Sequence, residues 1–428
     1  MNYEEAIAWI DTFQQFGIRL GLNRIEVVLN TLNDPQKKTS FIHVAGTNGK
    51  GSVCRYISSI LTNEGYRTGL YISPHLVDFR ERFQLNNEFI KKDRFVEIVD
   101  RIRPIVEQVT DRGIQLTYFE ICTIIAFLFF ADEQVDYAVV EVGLGGRYDA
   151  TNVITPLVSI ITTVSLDHQD QLGNTIEDIA FEKAGIIKSN IPVVTAAEGN
   201  AIEVIETICK KQHSELTHVT ERMVSLQETS LFHQLLLVHG CFDDYLVKTH
   251  QLGRCQWINI AISITVIEIL QQKGVFITKE SILKGINEMR HPGRMQLLQT
   301  HPFVLLDGAH NTDAMRKTVE SLTSFFTFDR LIVIFGVMKD KSISEMLSLL
   351  LPVTDILIAT EPKNTRATSA EKIAKYVQKI DASKQFFITS SVQDAYKKAI
   401  TIAKEHDLIF ATGSLFTVGE LLQLLEET

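Results

Sequence analysis

The sequence predicts two α/β domains: a P-loop-containing, doubly wound sheet, then a smaller Rossmann-like α/β domain. Three observations lead there. An apolar run, Phe41 to Ala45, passes through Gly46-Thr47-Asn48-Gly49-Lys50-Gly51-Ser52 into a helical stretch, Val53 to Thr62. Further strands and helices alternate after it, as in a parallel, doubly wound sheet. The alternation breaks at His291-Pro292-Gly293-Arg294 and restarts from Phe303. The expected domains are therefore 1–293 and 294–428, the second of roughly 130 residues and within the usual domain size.

The chain has 428 residues, too many for one ordinary core. Hydrophobic residues make up 45% and charged residues 22%, the profile of a soluble globular protein. A net charge of -10 argues against a nucleic-acid partner, while leaving room for a local basic site. Cys54, Cys122, Cys209, Cys241 and Cys255 are scattered, with no CxxC pair. That pattern suggests reduced thiols in the cytoplasm, or simply small core residues. The N-terminus lacks the basic-then-apolar order of a signal peptide. The most apolar run, Ile121 to Ala131, is far shorter than the ~20 residues of a membrane helix and reads as a buried helix. No membrane partner is expected.

In order along the chain, Tyr3 to Phe13 and Arg24 to Leu32 read as amphipathic helices, the second closed by Asn33-Asp34-Pro35. Thr68 to Ser73 is a strand stopped by Pro74, and Arg80 to Asn87 is polar and turn-like. Lys92 to Arg112 and Thr117 to Ala131 have helical periodicity. Strands follow at Tyr137 to Val142, Leu157 to Val164 and Ile191 to Thr195, with a helix at Thr175 to Ile187. Leu231 to Val238 and Tyr245 to Lys248 look like antiparallel edge strands, and Trp257 to Leu270 and Lys279 to Met289 like helices. Strands of the second domain are expected at Val304 to Leu306, Leu331 to Phe335, Ile356 to Thr360, Phe386 to Ile388 and Leu408 to Ala411.

Residues 46–52 have the make-up of a phosphate cradle. Glycines let backbone N–H groups approach an anion, and the helix dipole favours it there. Lys50 would neutralise the β- and γ-phosphates, and Ser52 offers a hydroxyl to Mg²⁺. The usual pattern places the hydroxyl residue directly after the lysine; here Gly51 intervenes. A glycine turn that binds nothing is the competing reading, but it requires neither a lysine nor a hydroxyl at the helix start.

Other polar residues follow predicted strands, where ligands bind in open α/β sheets. Glu141 can hold Mg²⁺ or act as a salt-bridged cap; beside a phosphate cradle the metal reading leads. His168, after Asp167, suits metal or acid–base work, although a lone loop histidine is more often only hydrogen-bonded. Lys183 reads as an ordinary solvated helix lysine. Asp307-Gly308-Ala309-His310-Asn311 fits a ligand turn or a helix N-cap, and both can hold. Thr412-Gly413-Ser414 reads as a plain strand-to-helix turn.

Taken together these motifs resemble the folylpolyglutamate synthase/dihydrofolate synthase family of the Mur ligase superfamily. The resemblance rests on Asn33-Asp34-Pro35-Gln36 and Ile42 to Ser52, on Ser73-Pro74-His75-Leu76 with Glu81-Arg82, and on Phe119-Glu120. It continues through Glu141 to Arg147 with Asp149 to Asn152, Leu166-Asp167-His168, Lys183 to Lys188 and Asp307 to Asn311. It spans nearly the whole chain.

The resemblance implies an ATP- and Mg²⁺-dependent amide ligase joining L-glutamate to a folate or to dihydropteroate through an acyl phosphate. Lys50, His168 and Lys183 are the implied catalytic residues. Gly46, Thr47, Asn48, Gly49, Lys50, Gly51, Ser52, Asn259, Arg294, Asp307 and His310 are the implied ATP contacts. Ser73, Glu141 and His168 are the implied Mg²⁺ ligands, joined by Lys183 if it is carbamylated. His75, Leu76 and Arg82, with the Gly17 to Arg24 loop, are the implied pterin-side elements. A cytoplasmic monomer is expected. Other readings stay open on the sequence: another Mur-type amino-acid ligase, a P-loop NTPase switch, and a non-catalytic binding module, against which the intact Lys50, Glu141 and His168 set weighs. The first would call for an extra N-terminal nucleotide-sugar domain, and a cradle that begins by residue 46 argues against it. Whether the reaction is dihydrofolate synthesis, chain extension or both is left open by the sequence.

Overall fold

A computed structural model describes residues 1–17 and 19–426. Its first sheet has eight strands: β1 (Ser40–Ala45), β2 (Thr68–Tyr71), β3 (Phe83–Leu85), β4 (Glu88–Phe89), β5 (Tyr137–Glu141), β6 (Val158–Ile161), β7 (Val193–Thr195) and β8 (Leu216–His218). They lie in the order β4-β3-β2-β5-β1-β6-β7-β8. β1 pairs in parallel with β5 and β6, at the centre. Its residues Phe41 to Ala45 are all buried, as an apolar run between two helical layers must be.

One layer contains Lys50–Glu64, Arg254–Gln272 and Lys279–Glu288; the other contains Lys92–Asp111 and Tyr118–Asp132. Helix 118–132 is buried all round from Glu120 to Phe130, which accounts for its lack of a polar face. Helix 279–288 lies close on helix 50–64, where the Ser59 hydroxyl donates to the Gly285 carbonyl (2.8 Å).

A small antiparallel sheet, β9 (Val224–Thr229), β10 (Gln234–His239) and β11 (Asp244–Thr249), packs on helices 254–272 and 279–288. The second large sheet has β12 (Gln296–Thr300), β13 (Phe303–Leu306), β14 (Leu331–Phe335), β15 (Ile356–Ala359), β16 (Gln385–Ile388) and β17 (Leu408–Thr412). Its order is β12-β13-β17-β14-β15-β16, with only β12 antiparallel. Helices on both faces bury it in two apolar clusters.

Several local expectations change. Residues 80–87 are not merely a turn: a 3₁₀ turn at Phe79–Arg82 enters β3, which forms a hairpin with β4. Phe83 is fully buried there, and the buried Gln84 amide donates to the Glu81 carbonyl (2.7 Å). Three residues are too few to show alternation. The helix expected from Val53 starts at Lys50. The strand expected over Leu157 to Val164 ends at Ile161, because the next residues turn to serve the phosphate loop. Thr163 gives its carbonyl to Thr47 N–H (2.7 Å), and the Thr162 hydroxyl donates to the Asn48 carbonyl (2.7 Å). β9 and β12 extend the expected strand set. Both are polar or half-exposed, so neither has a strong apolar signature. The loop from Gly17 to Arg24 includes Ile18, which lies outside the described residues. Its far end is tied down by Arg24, paired with buried Glu120 (3.1 Å).

Candidate active site

The glycine loop after β1 forms one wall of a cleft of about 220 Å³. Gly46 to Ser52 line it together with Ser73, Glu141, His168, Lys183, Asn259, Arg294, Asp307 and His310. These residues come from five strand ends, two helices and the segment joining the domains. The structure does not bring His75 or Arg82 to this cleft. Arg82 is buried, donates to His75 Nδ1 (2.9 Å) and lies over the Phe79 and Tyr118 rings. Leu76 lines a smaller adjoining cavity.

Two loop glycines are sterically required. Gly46 has φ 144° and Gly49 has φ 89°, both in the region that disfavours side chains. A Cβ on Gly46 would collide with the Thr162 hydroxyl, and one on Gly49 with the Asn259 side chain. The second contact places Asn259, buried on helix 254–272, directly against the loop. Its amide also donates to Gln256 Oε1 (3.2 Å).

The cleft holds more positive charge than the whole chain suggests. Lys50 Nζ donates to the carbonyls of Gly46 (3.1 Å) and Thr47 (3.3 Å), and stands 4.0 Å from Glu141 Oε1. Lys183 Nζ donates to the same Gly46 carbonyl (2.9 Å). Lys183 is only 4% exposed, so it is not the solvated helix lysine expected from the sequence. Helix 176–183 docks on the Gly145-Gly146 turn, where Arg147 N–H donates to the Glu182 carbonyl (2.9 Å). That contact drives the lysine inward. Burial, then nearby Lys50, pushes its pKa down to about 7.

Glu141, at the end of β5, is 5% exposed and accepts the Ser73 N–H (3.0 Å). Burial raises its pKa, against Lys50, that hydrogen bond and Arg294. His168 has φ 52°, lies 4.0 Å from Asp167 and has its pKa lowered, chiefly by burial. Among the described residues, no group of three or more His, Cys, Asp or Glu side chains stands ready to hold a metal. The set here is Glu141 with the Ser52 and Ser73 hydroxyls and His168. Such a mainly oxygen set fits Mg²⁺, which binds through one or two carboxylates plus substrate phosphates.

The second domain contributes the other wall. Buried Asp307 accepts from Met295 N–H, Ala309 N–H and the Thr318 hydroxyl, each at 3.0 Å. It thereby ties the joining segment to β13. Burial raises its pKa, with Arg294 and these donors opposing. His310 is pushed down to about 4 by burial and is neutral, with Nδ1 2.9 Å from the Gly308 carbonyl. Asn311 caps helix 312–325 through Ala314 N–H (2.9 Å). It also donates to Asn48 Oδ1 and Asp167 Oδ2, both at 3.0 Å, so the cap and ligand-turn roles coexist. Ser414 caps its own helix through Thr417 N–H (3.1 Å), in keeping with a plain turn.

Three features were not legible in the motifs. His291 Nδ1 meets the Ser52 hydroxyl at 3.0 Å, so the joining segment touches the phosphate loop. Arg55 faces the adjoining cavity. Lys341 pairs with Asp167 across the domains at 2.8 Å, and both side chains are buried to about nine-tenths. Although burial pushes Asp167 upward, Lys341 and His168 hold its carboxyl well below the usual range. Lys341 follows a strand, which was the available signal.

Removing one member of a buried ion pair costs about 3–5 kcal/mol, because the other charge stays uncompensated. Lys341→Ala therefore lowers kcat/KM for ATP by about tenfold or more. Adding Asp167→Asn to it restores part of the loss. Steady-state kinetics on the single and double variants check this; a double variant no better than Lys341→Ala contradicts it.

Comparison with known proteins gives the family and the fold. The family model described as "Mur ligase middle domain" matches residues 44–267, and "Mur ligase, glutamate ligase domain" matches residues 293–415. A Bacillus subtilis dihydrofolate synthase/folylpolyglutamate synthase is 34% identical, over 99% of each chain. A Mycobacterium tuberculosis folylpolyglutamate synthase solved with ADP superposes with a TM-score of 0.92 at 28% identity, over 99% of each chain. Escherichia coli FolC, solved with DHPP and ADP, gives a TM-score of 0.87 at 27% identity, over 100% of this chain and 98% of that one.

Proposed function

The chain belongs to the folylpolyglutamate synthase/dihydrofolate synthase family of Mur ligases, and from that premise we propose how its residues divide the work. The protein is an ATP-dependent ligase that adds L-glutamate to folates, with Mg²⁺ as cofactor. In our reading it also accepts dihydropteroate. The observation that carries the assignment of roles is the convergence of Lys50, Lys183 and Glu141 on the Gly46–Ser52 loop, facing a second-domain wall built around Asp307.

A carboxylate is a poor electrophile, so it must be activated. One carboxylate oxygen of the acceptor attacks the γ-phosphorus of ATP, and ADP leaves. The amine of glutamate then attacks the acyl carbon and phosphate departs, leaving an amide. Phosphoryl transfer of this kind depends on positioning and on neutralising charge. The Gly46–Ser52 N–H groups and Lys50 hold the triphosphate. Lys50 turns from the Gly46 and Thr47 carbonyls to the phosphate oxygens. Glu141, Ser73 and His168 would hold Mg²⁺, which would supply neutralisation of the negative charge in phosphoryl transfer. Asn259, Arg294, Asp307 and His310 complete the nucleotide site between the domains, and domain closure shields it from water.

Lys183 takes a further role in this reading. Its amine is buried and neutral in much of the population near pH 7. An amine in that state adds CO₂ and releases one proton, giving a carbamate. The new anion beside Lys50 would join the metal-holding set. His75, Leu76 and Arg82 are assigned to the pterin side, where the Arg82–His75 pair orders the segment leading from Ser73. We place the domain boundary at 293/294, a position supported by the start of the glutamate ligase domain match at residue 293. We further propose a cytoplasmic monomer. Five free cysteines support a reducing compartment. Among the described residues, no helix is long and apolar enough to cross a membrane.

ADP release with Mg²⁺, ATP and glutamate tests the substrate assignment, comparing dihydropteroate with a tetrahydrofolate as acceptor. Release with both is expected. Release with tetrahydrofolate alone would restrict the enzyme to chain extension. Release without glutamate would favour an NTPase.

A further inference from the structure

A smaller cavity of about 50 Å³ adjoins the main cleft. It shares Ser73, Glu141, His291 and Arg294 with that cleft and adds Arg55, Leu76 and Glu81. Arg55 stands on helix 50–64, just past the phosphate loop. Its Nε is buried and finds no hydrogen-bond partner among the described residues. The two acids that act on it, Glu81 and Glu141, do so only through space.

Both acids are engaged elsewhere. Glu81 accepts the N–H groups of Leu76 (2.9 Å), Val77 (2.7 Å) and Asp78 (2.8 Å). Glu141 accepts the Ser73 N–H (3.0 Å) and faces Lys50. A buried cationic donor without a partner is costly unless an anion completes it. The protein leaves this one open beside the residues assigned to Mg²⁺ and the γ-phosphate.

We propose that Arg55 binds the carboxylate of the acceptor that is to be phosphorylated, with this cavity as its seat. The assignment rests on the folate-ligase reading and names a substrate-binding residue within it. The place is right for the reaction. The cavity borders Ser73 and Glu141 on one side and Leu76, leading to the pterin-side segment, on another. The size is right too: a water needs ~10–15 Å³ of such space, so the cavity admits a group of a few atoms but no ring. A guanidinium grips a carboxylate through two parallel N–H bonds, which fixes its plane as well as its position. That would aim one oxygen at the phosphorus.

The test is binding of dihydropteroate and of its carboxamide to the enzyme loaded with Mg²⁺ and a non-hydrolysable ATP analogue. Wild type should prefer the carboxylate by about tenfold or more, the scale of one charged hydrogen-bonded contact. Arg55→Gln should shrink that preference to within about twofold. Arg55→Lys should fall between, while KM values for ATP and glutamate stay unchanged. A merely structural role would not erase discrimination between acid and amide. Arg55→Gln that keeps the wild-type preference overturns the assignment. So does a loss that falls on the KM of glutamate, since the cavity would then hold the incoming amino acid's carboxylate. If Arg55→Gln does not fold, Arg55→Lys decides: a reduced preference supports the proposal and an unchanged one overturns it. Wild type that binds neither form is compared instead with a tetrahydrofolate and its γ-carboxamide, read by the same criteria, and wild type that binds none of the four overturns the folate reading itself, and this assignment with it.

Discussion

Lys50→Ala lowers glutamate-dependent ADP release by roughly 10³-fold, the scale of losing one main charge-stabilising group in a water-excluded site. The reason is the arrangement around Gly46. Among the described residues the ammonium has only two carbonyls and a distant carboxylate as partners at rest, so it is free to move to phosphate oxygens. Because Lys50 is partly exposed and its hydrogen bonds go to carbonyls of its own loop, the fold survives the change. The loss therefore appears in kcat, with the thermal midpoint near wild type. Steady-state rates with saturating ATP, together with a melting curve, check both halves. Lys50→Ala with kcat within tenfold of wild type would remove Lys50 from the phosphoryl-transfer site.

Lys183→Ala produces a comparable loss for a different reason. In the proposed reading the working form is the carbamate, so the variant lacks an anion as well as an amine. A small carboxylate such as acetate or formate, added at high concentration, should recover part of the rate in Lys183→Ala and none in Lys50→Ala. Lys183→Arg should not be recovered, because its cation fills the space. The pH dependence follows from the sign of the shift. Burial lowers the lysine pKa from 10.5 to about 7, so the neutral amine dominates above about pH 7 and is lost below it. Activation of CO₂-depleted wild-type enzyme by added bicarbonate should therefore strengthen as pH rises through about 7. Full activity of Lys183→Ala without any added carboxylate would rule the carbamate out.

The cradle was readable because its chemistry is local: strand, glycines, lysine and hydroxyl occupy eleven consecutive positions from Ile42 to Ser52. The parallel sheets were readable for a similar reason, since β14 is a continuous apolar run buried on both faces and β1 is one interrupted by His43 alone from Phe41 on. What stayed hidden depends on distant partners. Lys183 is buried only because its helix docks on the Gly145-Gly146 turn, nearly forty residues earlier. The Asp167–Lys341 pair joins positions 174 apart, and neither residue signals the other. His291 looked like part of a linker, yet it touches Ser52 once the domains are in place. Arg55 lies on a helix whose sequence does not show which face meets the cavity. β3 and β9 were missed because short or solvent-facing strands carry little periodicity.

The central claim is that ATP activates the acceptor's carboxylate as an acyl phosphate before glutamate attacks. The most direct measurement follows oxygen. With an acceptor labelled with oxygen-18 in both carboxylate oxygens, the enzyme is run to completion with Mg²⁺, ATP and glutamate, and the released phosphate is weighed by mass spectrometry. The account predicts one labelled oxygen in each phosphate, carried over from the carboxylate. Unlabelled phosphate would mean that water, not the acceptor, takes the phosphoryl group, and would contradict the ligase mechanism.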